Sequence, residues 1–540
     1  MKKGILFLLL VLNCNLMAAD IISVDLSKVL SHPAANSIGI NLNYLRDDNN
    51  NLEGARPIQE TLKEMGVGWL RYPGGEKSDR HLWSQPPWNE PDPQVKGSYL
   101  NQVKDILDFD EYIEYAKQAG AEPYVVVGYG RENRTGFTKR QYLENAIEWV
   151  KYANVKNNYG VKYWEIGNEN WNNNTATPKQ MAEIVVEFSR AMKAVDPSIK
   201  VGSSNGRGAG GWSDFFTIAG QDVDFLVNSN YLKGTWDGFS KYRDNTKLNF
   251  IQNGEALADA INQYAPESKK DDMFVVLAEL NAKNWAGAWQ GRNDLGHALV
   301  TAEIFGQMLM NDKIRMGALW TTRWMKINES DNVFHALGPK NEILPAGRAV
   351  AIWGQFLNDR MVEISRPDKL VTFASLDSRT GKLSLFITNK DNQAHELDID
   401  IAGSTKYESA EVFEFSGNGS EDLNPIWKQK KSISISDNRI RGYQAAETSF
   451  TVLSLTSKNF ISKIKSPVES PDKLRLADIR KGEKTISFEI EHGAFIPEYD
   501  GMAGMELYTV EGQPLYIIAL CRDNPNFALL ETKTCIEENF

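Results

Sequence analysis

The sequence predicts an α/β fold, a (β/α)8 TIM barrel followed by a C-terminal antiparallel β-sandwich domain. Three observations predict it. Strand-like and helix-like segments alternate about eight times between residues 38 and 361, and the strands are nearly continuous apolar runs. After residue 366 the hydrophobic period becomes two, which is typical of antiparallel strands. No GxGxxG follows the first strand, so a doubly wound nucleotide-binding sheet is not favoured.

The predicted elements follow from these periodicities. The eight barrel strands are apolar runs that end at turn-prone residues: 38–45, 67–75, 122–130, 161–169, 199–206, 223–232, 273–281 and 316–325. Five helices have apolar residues at i, i+3 and i+4: 139–154, 178–195, 254–264, 297–311 and 346–357. The sandwich strands are short and alternating: 371–377, 382–389, 396–401, 410–415, 432–436 and 448–455.

These elements divide the chain into six parts. Residues 1–19 are a predicted signal peptide, 20–37 a strand that joins the sandwich, and 38–361 the catalytic barrel. Residues 362–457 form the sandwich and 458–473, with two Ser-Pro pairs, a linker. Residues 474–540 contain further strand candidates, and the sequence assigns them no role.

The first residues predict export. Lys2 and Lys3 precede an apolar run at 5–12, and small residues follow at the expected cleavage site. We therefore expect a secreted or periplasmic protein without membrane insertion, because no apolar run is long enough to span a bilayer. Cys14 leaves a lipoprotein anchor as a weaker alternative, since Asn13 is bulky for such a site. The sequence does not decide whether Cys521 and Cys535 form a disulfide.

Composition restricts the partners. A net charge of −11 and a pI near 5.3 exclude a basic surface for nucleic acid. Aromatic residues make up 10% of the chain, which suits stacking on sugar rings, so we expect a polysaccharide or oligosaccharide substrate. The sequence has no metal-binding or cofactor motif, so none is predicted. The oligomeric state cannot be derived from the sequence.

Two carboxylates lie at predicted strand ends. The fourth strand, in VKYWEIGNENW, stops at a Gly-Asn turn followed by Glu169, and the seventh ends in AELN with Glu279. Because active sites of parallel barrels form at the C-terminal strand ends, these two side chains are expected at one mouth. A pair of carboxyl groups is what hydrolysis of a glycosidic bond requires.

The motifs WEIGNE and LRYPGG, together with a late strand that ends in Glu279, resemble clan A of the glycoside hydrolases. The pattern is nearest to the family 51 α-L-arabinofuranosidases, with family 39 close behind. The resemblance covers about residues 20–456. It implies that Glu169 is the acid/base, Glu279 the nucleophile, and that Asn168 binds the sugar 2-hydroxyl.

The resemblance also implies supporting residues. Arg71, at the end of the second strand, is expected to hold Glu279 ionised, and Tyr231, at the end of the sixth, to hydrogen-bond Glu279. One departure concerns the substrate. Related sequences usually have a histidine just before this tyrosine, where this chain has Ser229 and Asn230. Glu165 lies deeper in the same strand as Glu169 and is expected to be an ion-pair partner.

Aromatic residues follow several strand ends. Trp320, on the eighth strand, is implied as the aromatic floor beneath the sugar, and Trp171 and Trp285 as substrate-binding residues. Together with Trp83, Trp88 and Trp289 the loop tryptophans predict an extended cleft, although packing in the core is an equal alternative for each. Glu76, Lys77 and Asp79 are expected either to contact sugar hydroxyls or to form a solvated charge cluster.

The sequence thus predicts a secreted retaining glycoside hydrolase that cleaves a plant or algal polysaccharide by double displacement, with an arabinofuranosidase-like specificity. An endo-acting galactanase of the agarase or porphyranase type is an alternative, favoured by the loop tryptophans and the missing histidine. A non-catalytic carbohydrate-binding protein with the same fold is the other alternative.

Overall fold

A computed structural model describes residues 19–34, 36–97, 105–172, 175–204, 208–232, 238–245, 248–283, 292–324, 330–457 and the strands 502–508, 514–521, 527–531 and 534–535. The predicted signal peptide up to residue 18, the linker 458–473, Trp285 and Trp289 lie outside the described residues.

The described chain begins with β1 (Asp20–Ser31), and strands and helices then alternate. The first half of the barrel contains its first four strands and the helices and short strands between and after them. In chain order these elements are β2 (Ile38–Asn41), α1 (Ile58–Met65), β3 (Trp69–Tyr72), β4 (His81–Leu82), β5 (Gln94–Val95), α2 (Phe109–Ala119), β6 (Glu122–Val127), α3 (Glu132–Thr135), α4 (Lys139–Val150), β7 (Tyr163–Ile166) and α5 (Pro178–Val195). A 3-10 helix, Glu76–Arg80, follows β3, and a π-helix, Lys151–Lys156, extends α4.

The second half of the barrel contains its last four strands and the helices between and after them. In chain order these elements are β8 (Lys200–Ser203), α6 (Gly208–Ala219), β9 (Phe225–Tyr231), α7 (Phe239–Asp244), α8 (Gln252–Tyr264), β10 (Phe274–Asn281), α9 (Leu295–Leu309), β11 (Ile314–Leu319) and α10 (Pro345–Phe356). The sheet domain adds β12 (Arg360–Ile364), β13 (Leu370–Leu376), β14 (Leu383–Asn389), β15 (His395–Ala402), β16 (Tyr407–Ser416), β17 (Ile426–Ser434), β18 (Arg439–Ala445) and β19 (Ser449–Ser457).

The barrel is closed and parallel. Its strands run in the order β2, β3, β6, β7, β8, β9, β10 and β11, and β11 pairs with β2 to close the ring. The eight strands overlap the eight predicted segments, so the predicted (β/α)8 fold is confirmed. β7 is the fourth strand and β10 the seventh, which places the two predicted carboxylates at the same end of the barrel.

Side-chain alternation builds two apolar layers. One layer fills the barrel and consists of buried apolar residues from alternate strand positions: Trp69, Tyr124, Val126, Phe225, Val227, Phe274, Val276, Ala278, Met316 and Ala318. The intervening strand residues face the helices and belong to the larger core cluster. Polar residues at the upper strand ends then follow this inner layer, which gives the site a packed floor.

Helix ends are fixed by local signals. Asp108 and Thr177 cap α2 and α5, and each accepts a hydrogen bond from the third helical residue, whose own side chain bonds back. Pro178 occupies the first position of α5, where its missing N–H costs nothing. The predicted range for α5 agrees with the structure: the helix begins after the Thr177 cap and ends at Val195, where Asp196 becomes extended.

The second domain is one mostly antiparallel sheet of nine strands, in the order β17, β16, β19, β14, β13, β12, β1, β15 and β18. The predicted fold class, an antiparallel β domain after the barrel, is confirmed. One strand pair, β1 with β15, is parallel. Two strands were not predicted, β12 and β18. β18 is an edge strand with Gly442 and exposed charges, so its alternation is weak.

The sheet has its own apolar core and also packs on the barrel. Trp353 of α10 stacks on Phe386 of β14, with ring centroids 4.1 Å apart. Trp353 also lies 5.7 Å from Phe373 of β13. The sheet therefore contacts the helical layer of the barrel.

A second unit begins at Phe460. Its described part is an antiparallel sheet of β20 (Met502–Tyr508), β21 (Pro514–Cys521), β22 (Phe527–Glu531) and β23 (Thr534–Cys535). β22 lies between the strands that contain Cys521 and Cys535. Within the described residues, no helix is both long and apolar enough to cross a bilayer.

Candidate active site

The turn after β7 presents the first predicted carboxylate. Tyr163 and Glu165 face the barrel interior, as alternation requires, and the strand then ends at Gly167. Gly167 has a φ of 70°, and a Cβ there would lie 2.2 Å from the Asn170 side chain, so glycine is required. Glu169 itself has a φ of 44°, a strained conformation for a residue with a Cβ. Such strain is typical of functional positions.

A β-bulge in β10 presents the second carboxylate. Leu277 of β10 pairs with Asn228 of β9, but the next paired residue is Glu279, with Ser229, so Ala278 is an extra residue. Without the bulge Glu279 would face the helices, as Leu277 does. The bulge turns Glu279 into the barrel mouth next to Ala278. Glu279 as a whole is only 4% exposed.

Arg71 of β3 connects the two carboxylate-bearing strands. Its Nε and Nη2 donate to the two carboxylate oxygens of Glu165, at 2.9 and 3.0 Å. Nη2 also donates to Asn168 Oδ1 at 2.8 Å. Nη1 donates to Glu279 Oε1 at 3.1 Å and to Asn41 Oδ1 at 3.0 Å. One buried guanidinium therefore uses its planar fork to fix the ends of four strands.

Glu279 is held from two sides. Tyr231 Oη donates to Glu279 Oε2 at 2.8 Å, and Arg71 donates to the other oxygen. Burial raises the pKa of Glu279 to about 7, and the charge of Glu169 acts in the same direction. Arg71 and Tyr231 lower this pKa, so they oppose the burial effect. The contacts expected for Arg71, Tyr231 and Glu165 are thus present in the structure.

Asn41 is a site residue that sequence reasoning missed. It ends β2, and its amide Nδ2 donates to the carbonyl oxygens of Ala278 and Leu319, at 2.7 and 3.2 Å. Its Oδ1 accepts from Arg71. Asn41 therefore ties the bulge beside Glu279 to the rest of the mouth. The signal was available, since it is a polar residue at the end of an apolar strand, as Glu169 and Glu279 are.

Asp79 fixes the turn that bears Glu169. Its Oδ1 accepts from the backbone N–H groups of Tyr129 and Asn168, at 3.2 and 3.3 Å. Burial raises the pKa of Asp79 well above its usual range. Asp79 and Lys77 are both 1% exposed, so the expectation of a solvated charge cluster is wrong for these two residues. Glu76 is partly exposed and pairs with Arg80 and Arg134.

We expect Asp79→Ala to lower the free energy of unfolding by about 2 kcal/mol, because it removes the acceptor for two backbone N–H groups. Asp79→Asn keeps that acceptor and is the matched control. A carboxyl with a raised pKa stabilises the fold at low pH and loses this contribution as the pH rises through its folded pKa. Asp79→Asn should therefore gain stability relative to the parent chain as pH rises, in urea unfolding from pH 4 to 8. A flat difference would contradict the assignment.

Trp320, the predicted aromatic floor, follows β11 and is 3% exposed. Its ring lies 5.5 Å from that of Trp324. Gly75 packs directly on Trp320, since a Cβ there would lie 2.1 Å from ring atom Cη2. Lys77 Nζ lies 4.9 Å from the Trp320 ring centroid and 4.0 Å from that of Trp324. The loop after β3 and the floor are therefore one packed unit.

Of the loop tryptophans that the structure describes, Trp83 does not belong to the predicted cleft. Trp83 is fully buried in the core and stacks on Trp149, so its assignment to the cleft is wrong. Trp88 packs against the same cluster. Trp171 is partly exposed, two residues after Glu169. Within the described part of the chain, no three His, Cys, Asp or Glu side chains are grouped so that they could hold a metal ion.

Comparison with known proteins agrees with this geometry. The family described as "Alpha-L-arabinofuranosidase 1 domain" matches residues 61–245, which include β3 and β7. A probable α-L-arabinofuranosidase C of Aspergillus fumigatus is 27% identical over 183 residues, 30% of this chain and 34% of the relative. This chain thus spans about a third of the length of the first relatives that it matches.

Two further comparisons extend over more of the chain. An intracellular exo-α-(1→5)-L-arabinofuranosidase of Streptomyces lividans is 23% identical over 319 residues, 52% of this chain and 45% of that protein. The structure of an α-L-arabinofuranosidase from Thermotoga maritima with arabinose superposes with a TM-score of 0.63 at 19% identity, over 81% of this chain and 99% of the other. These matches confirm the fold and the resemblance to clan A and family 51.

Proposed function

We propose that this chain is a retaining glycoside hydrolase of the family 51 type with an α-L-arabinofuranosidase-like specificity. One observation carries the proposal: Arg71 donates to Glu279 and, through its other arm, to Asn168, the neighbour of Glu169. This places a strongly oriented carboxylate and a second, more exposed carboxyl at one mouth, as double displacement requires. The match over residues 61–245 supports the arabinofuranosidase type.

In the first step, Glu279 attacks the anomeric carbon while Glu169 donates a proton to the leaving glycosidic oxygen. The bond from the anomeric carbon to that oxygen breaks, and an ester to Glu279 forms. Arg71 and Tyr231 hold the attacking group in place, so little of its motion has to be frozen in the transition state. Trp320 is proposed to support the sugar from below.

In the second step, Glu169, now ionised, removes a proton from a water molecule that attacks the same carbon. The ester bond breaks, Glu279 leaves as a carboxylate and Glu169 is protonated again. Two inversions at one carbon give net retention of configuration. Asn168 is proposed to bind the sugar 2-hydroxyl, a contact that strengthens in the transition state.

Product analysis tests the proposal. The mature chain is incubated with 4-nitrophenyl α-L-arabinofuranoside, arabinan, arabinoxylan, agarose and porphyran, and the first-formed anomer is followed by NMR. Free arabinose with retained configuration supports the proposal. An inverted anomer would refute double displacement. Absence of product from every substrate would speak against an enzyme of this type.

Tyr231→Phe is expected to move the acidic limb of kcat/KM to higher pH by roughly one unit, because it removes a donor that lowers the pKa of Glu279. In the parent chain this limb should lie near the pKa of about 7, with activity falling as the pH decreases and Glu279 gains a proton. The measurement is a pH profile of kcat/KM from pH 4.5 to 9. Tyr407→Phe, which removes a buried hydroxyl bonded to Gly381 O in the sheet domain, is the control and should leave the limb in place.

An endo-acting galactanase remains the second candidate. The observation that favours it is the sequence before Tyr231, where Ser229 and Asn230 replace the usual histidine, and Asn230 donates to Phe250 O rather than facing the mouth. The two candidates differ in product. Oligosaccharides of several sizes from agarose or porphyran would replace the arabinofuranosidase proposal by this one.

We also propose that the protein is exported, on the basis of Lys2, Lys3 and the apolar run that follows. Expression of the full chain and of a chain without residues 2–19, followed by fractionation, tests this. Export of the full chain alone supports the proposal, and equal retention of both refutes it. Cys14→Ser separates the two forms of export, since only a lipid anchor depends on that thiol.

A further inference from the structure

Lys77 places a buried ammonium at the candidate site. It lies in the 3-10 helix after β3 and is 1% exposed, with Nζ over the rings of Trp320 and Trp324. Among the described residues, Nζ has no hydrogen-bond acceptor. The indole Nε1 of Trp320 is likewise buried without an acceptor in the described part of the chain. Lys77 Nζ and Trp320 Nε1 are therefore two neighbouring hydrogen-bond donors without an acceptor among the described residues. This indicates a ligand with acceptor oxygens.

Within the residues that the structure describes, no carboxylate is in contact with Lys77 Nζ. Three carboxylates act on it through space, Glu279 first and then Glu76 and Asp47, while burial and Arg46 oppose its charge. Each of these carboxylates is already bound to an arginine: Glu279 to Arg71, Glu76 to Arg80 and Arg134, and Asp47 to Arg323. As a result burial lowers the pKa of Lys77 to about 7.

We propose that Lys77 is a specificity-determining residue that binds an anionic substituent of the sugar, a carboxylate or a sulfate ester, beside Trp320. The inference rests on the proposed function, because it places a sugar on the aromatic floor next to Glu279. A neutral hydroxyl would offer an acceptor but no counter-charge, whereas an anionic group supplies both. Lys77 would also offset the repulsion that Glu169 and Glu279 exert on a negatively charged sugar.

Binding to a hydrolysis-deficient chain, Glu169→Gln, tests the proposal. Two matched pairs of oligosaccharides are titrated by calorimetry: porphyran oligosaccharides before and after solvolytic desulfation, which differ by the 6-sulfate, and xylo-oligosaccharides without and with a glucuronic acid branch. We expect one charged member to bind at least tenfold more tightly than its neutral counterpart. The pair that responds identifies the anion as sulfate or carboxylate.

Variants of Lys77 separate charge from hydrogen bonding. Lys77→Gln keeps a donor without the charge, so it should abolish the tenfold preference while neutral binding is retained, and Lys77→Arg should keep part of it. Lys390→Gln is the matched control. Lys390 also lies over an aromatic ring, 4.3 Å from that of Tyr242, but its Nζ donates to the carbonyls of Tyr242 and Asn245. This control should leave the preference unchanged.

Three results would overturn the proposal: equal binding of charged and neutral members, an equal loss of both in Lys77→Gln, or no binding of either charged member. The melting temperature of Lys77→Gln should not fall, since the substitution removes a buried unpaired charge. Hydrolysis by the parent chain is measured separately. If the parent chain hydrolyses its substrate without a preference for charged glycans, this inference is refuted and the proposed function is kept. If the chain binds charged glycans selectively but hydrolyses none, the proposed function is refuted and the binding role of Lys77 is kept.

Discussion

Replacing Glu279 by glutamine is expected to lower kcat/KM by at least about 10⁴-fold, because an amide cannot form the ester intermediate. The side chain keeps its size. Its amide oxygen can accept from Arg71 and its amide nitrogen can donate to the Tyr231 hydroxyl oxygen, so the fold should be retained. Steady-state kinetics on the substrate found in the product analysis gives the activity. Calorimetry with the same glycan gives binding, which should change by less than tenfold.

The control for Glu279→Gln is Glu303→Gln. Glu303 is a buried glutamate on α9 that pairs with Arg366, away from the barrel mouth. This variant should keep kcat/KM within a few-fold of the parent value, although it loses stability. Comparable activity of both variants would mean that Glu279 is not the nucleophile. A carbohydrate-binding protein would behave the same before and after either change.

Arg71→Met is expected to lower the free energy of unfolding by about 3–5 kcal/mol, because it leaves the buried carboxylates of Glu165 and Glu279 without their cation. The pKa of both carboxyl groups should then rise further, since burial raises it and Arg71 opposes that effect. Chemical unfolding gives the stability. Hydrolysis should be lost as well, because a protonated Glu279 is a poor nucleophile.

The double variant Arg71→Met with Glu165→Gln separates the two effects. It removes one of the carboxylates that the first change leaves unpaired, so part of the stability should return. Activity should not return, because Glu279 still lacks the donor that Arg71 provides. Full recovery of activity would show that Arg71 acts only by neutralising Glu165. Arg71→Lys should also be inactive, since one ammonium cannot reproduce the fork that reaches four acceptor side chains.

The strand ends could be predicted because their signal is local. In β7 an apolar run stops at Gly167 and Asn168, so the position of Glu169 follows from the turn chemistry of four consecutive residues. Arg71 and Tyr231 lie at strand ends for the same reason. Trp83 shows where this reasoning fails. The sequence around a loop tryptophan is the same whether its side chain faces a cleft or the core. Only the packing of Trp83 on Trp149 shows that this side chain belongs to the core.

By itself, the sequence determined the closed barrel, the mostly antiparallel sheet domain and the strands on which the two glutamates lie, because hydrophobic period and turn residues act over short distances. Tertiary structure alone decided where the side chains point. The bulge at Ala278 that turns Glu279 inward depends on pairing with β9. The burial of Lys77 against Trp320 and Trp324 joins segments more than 240 residues apart, which no local pattern can encode.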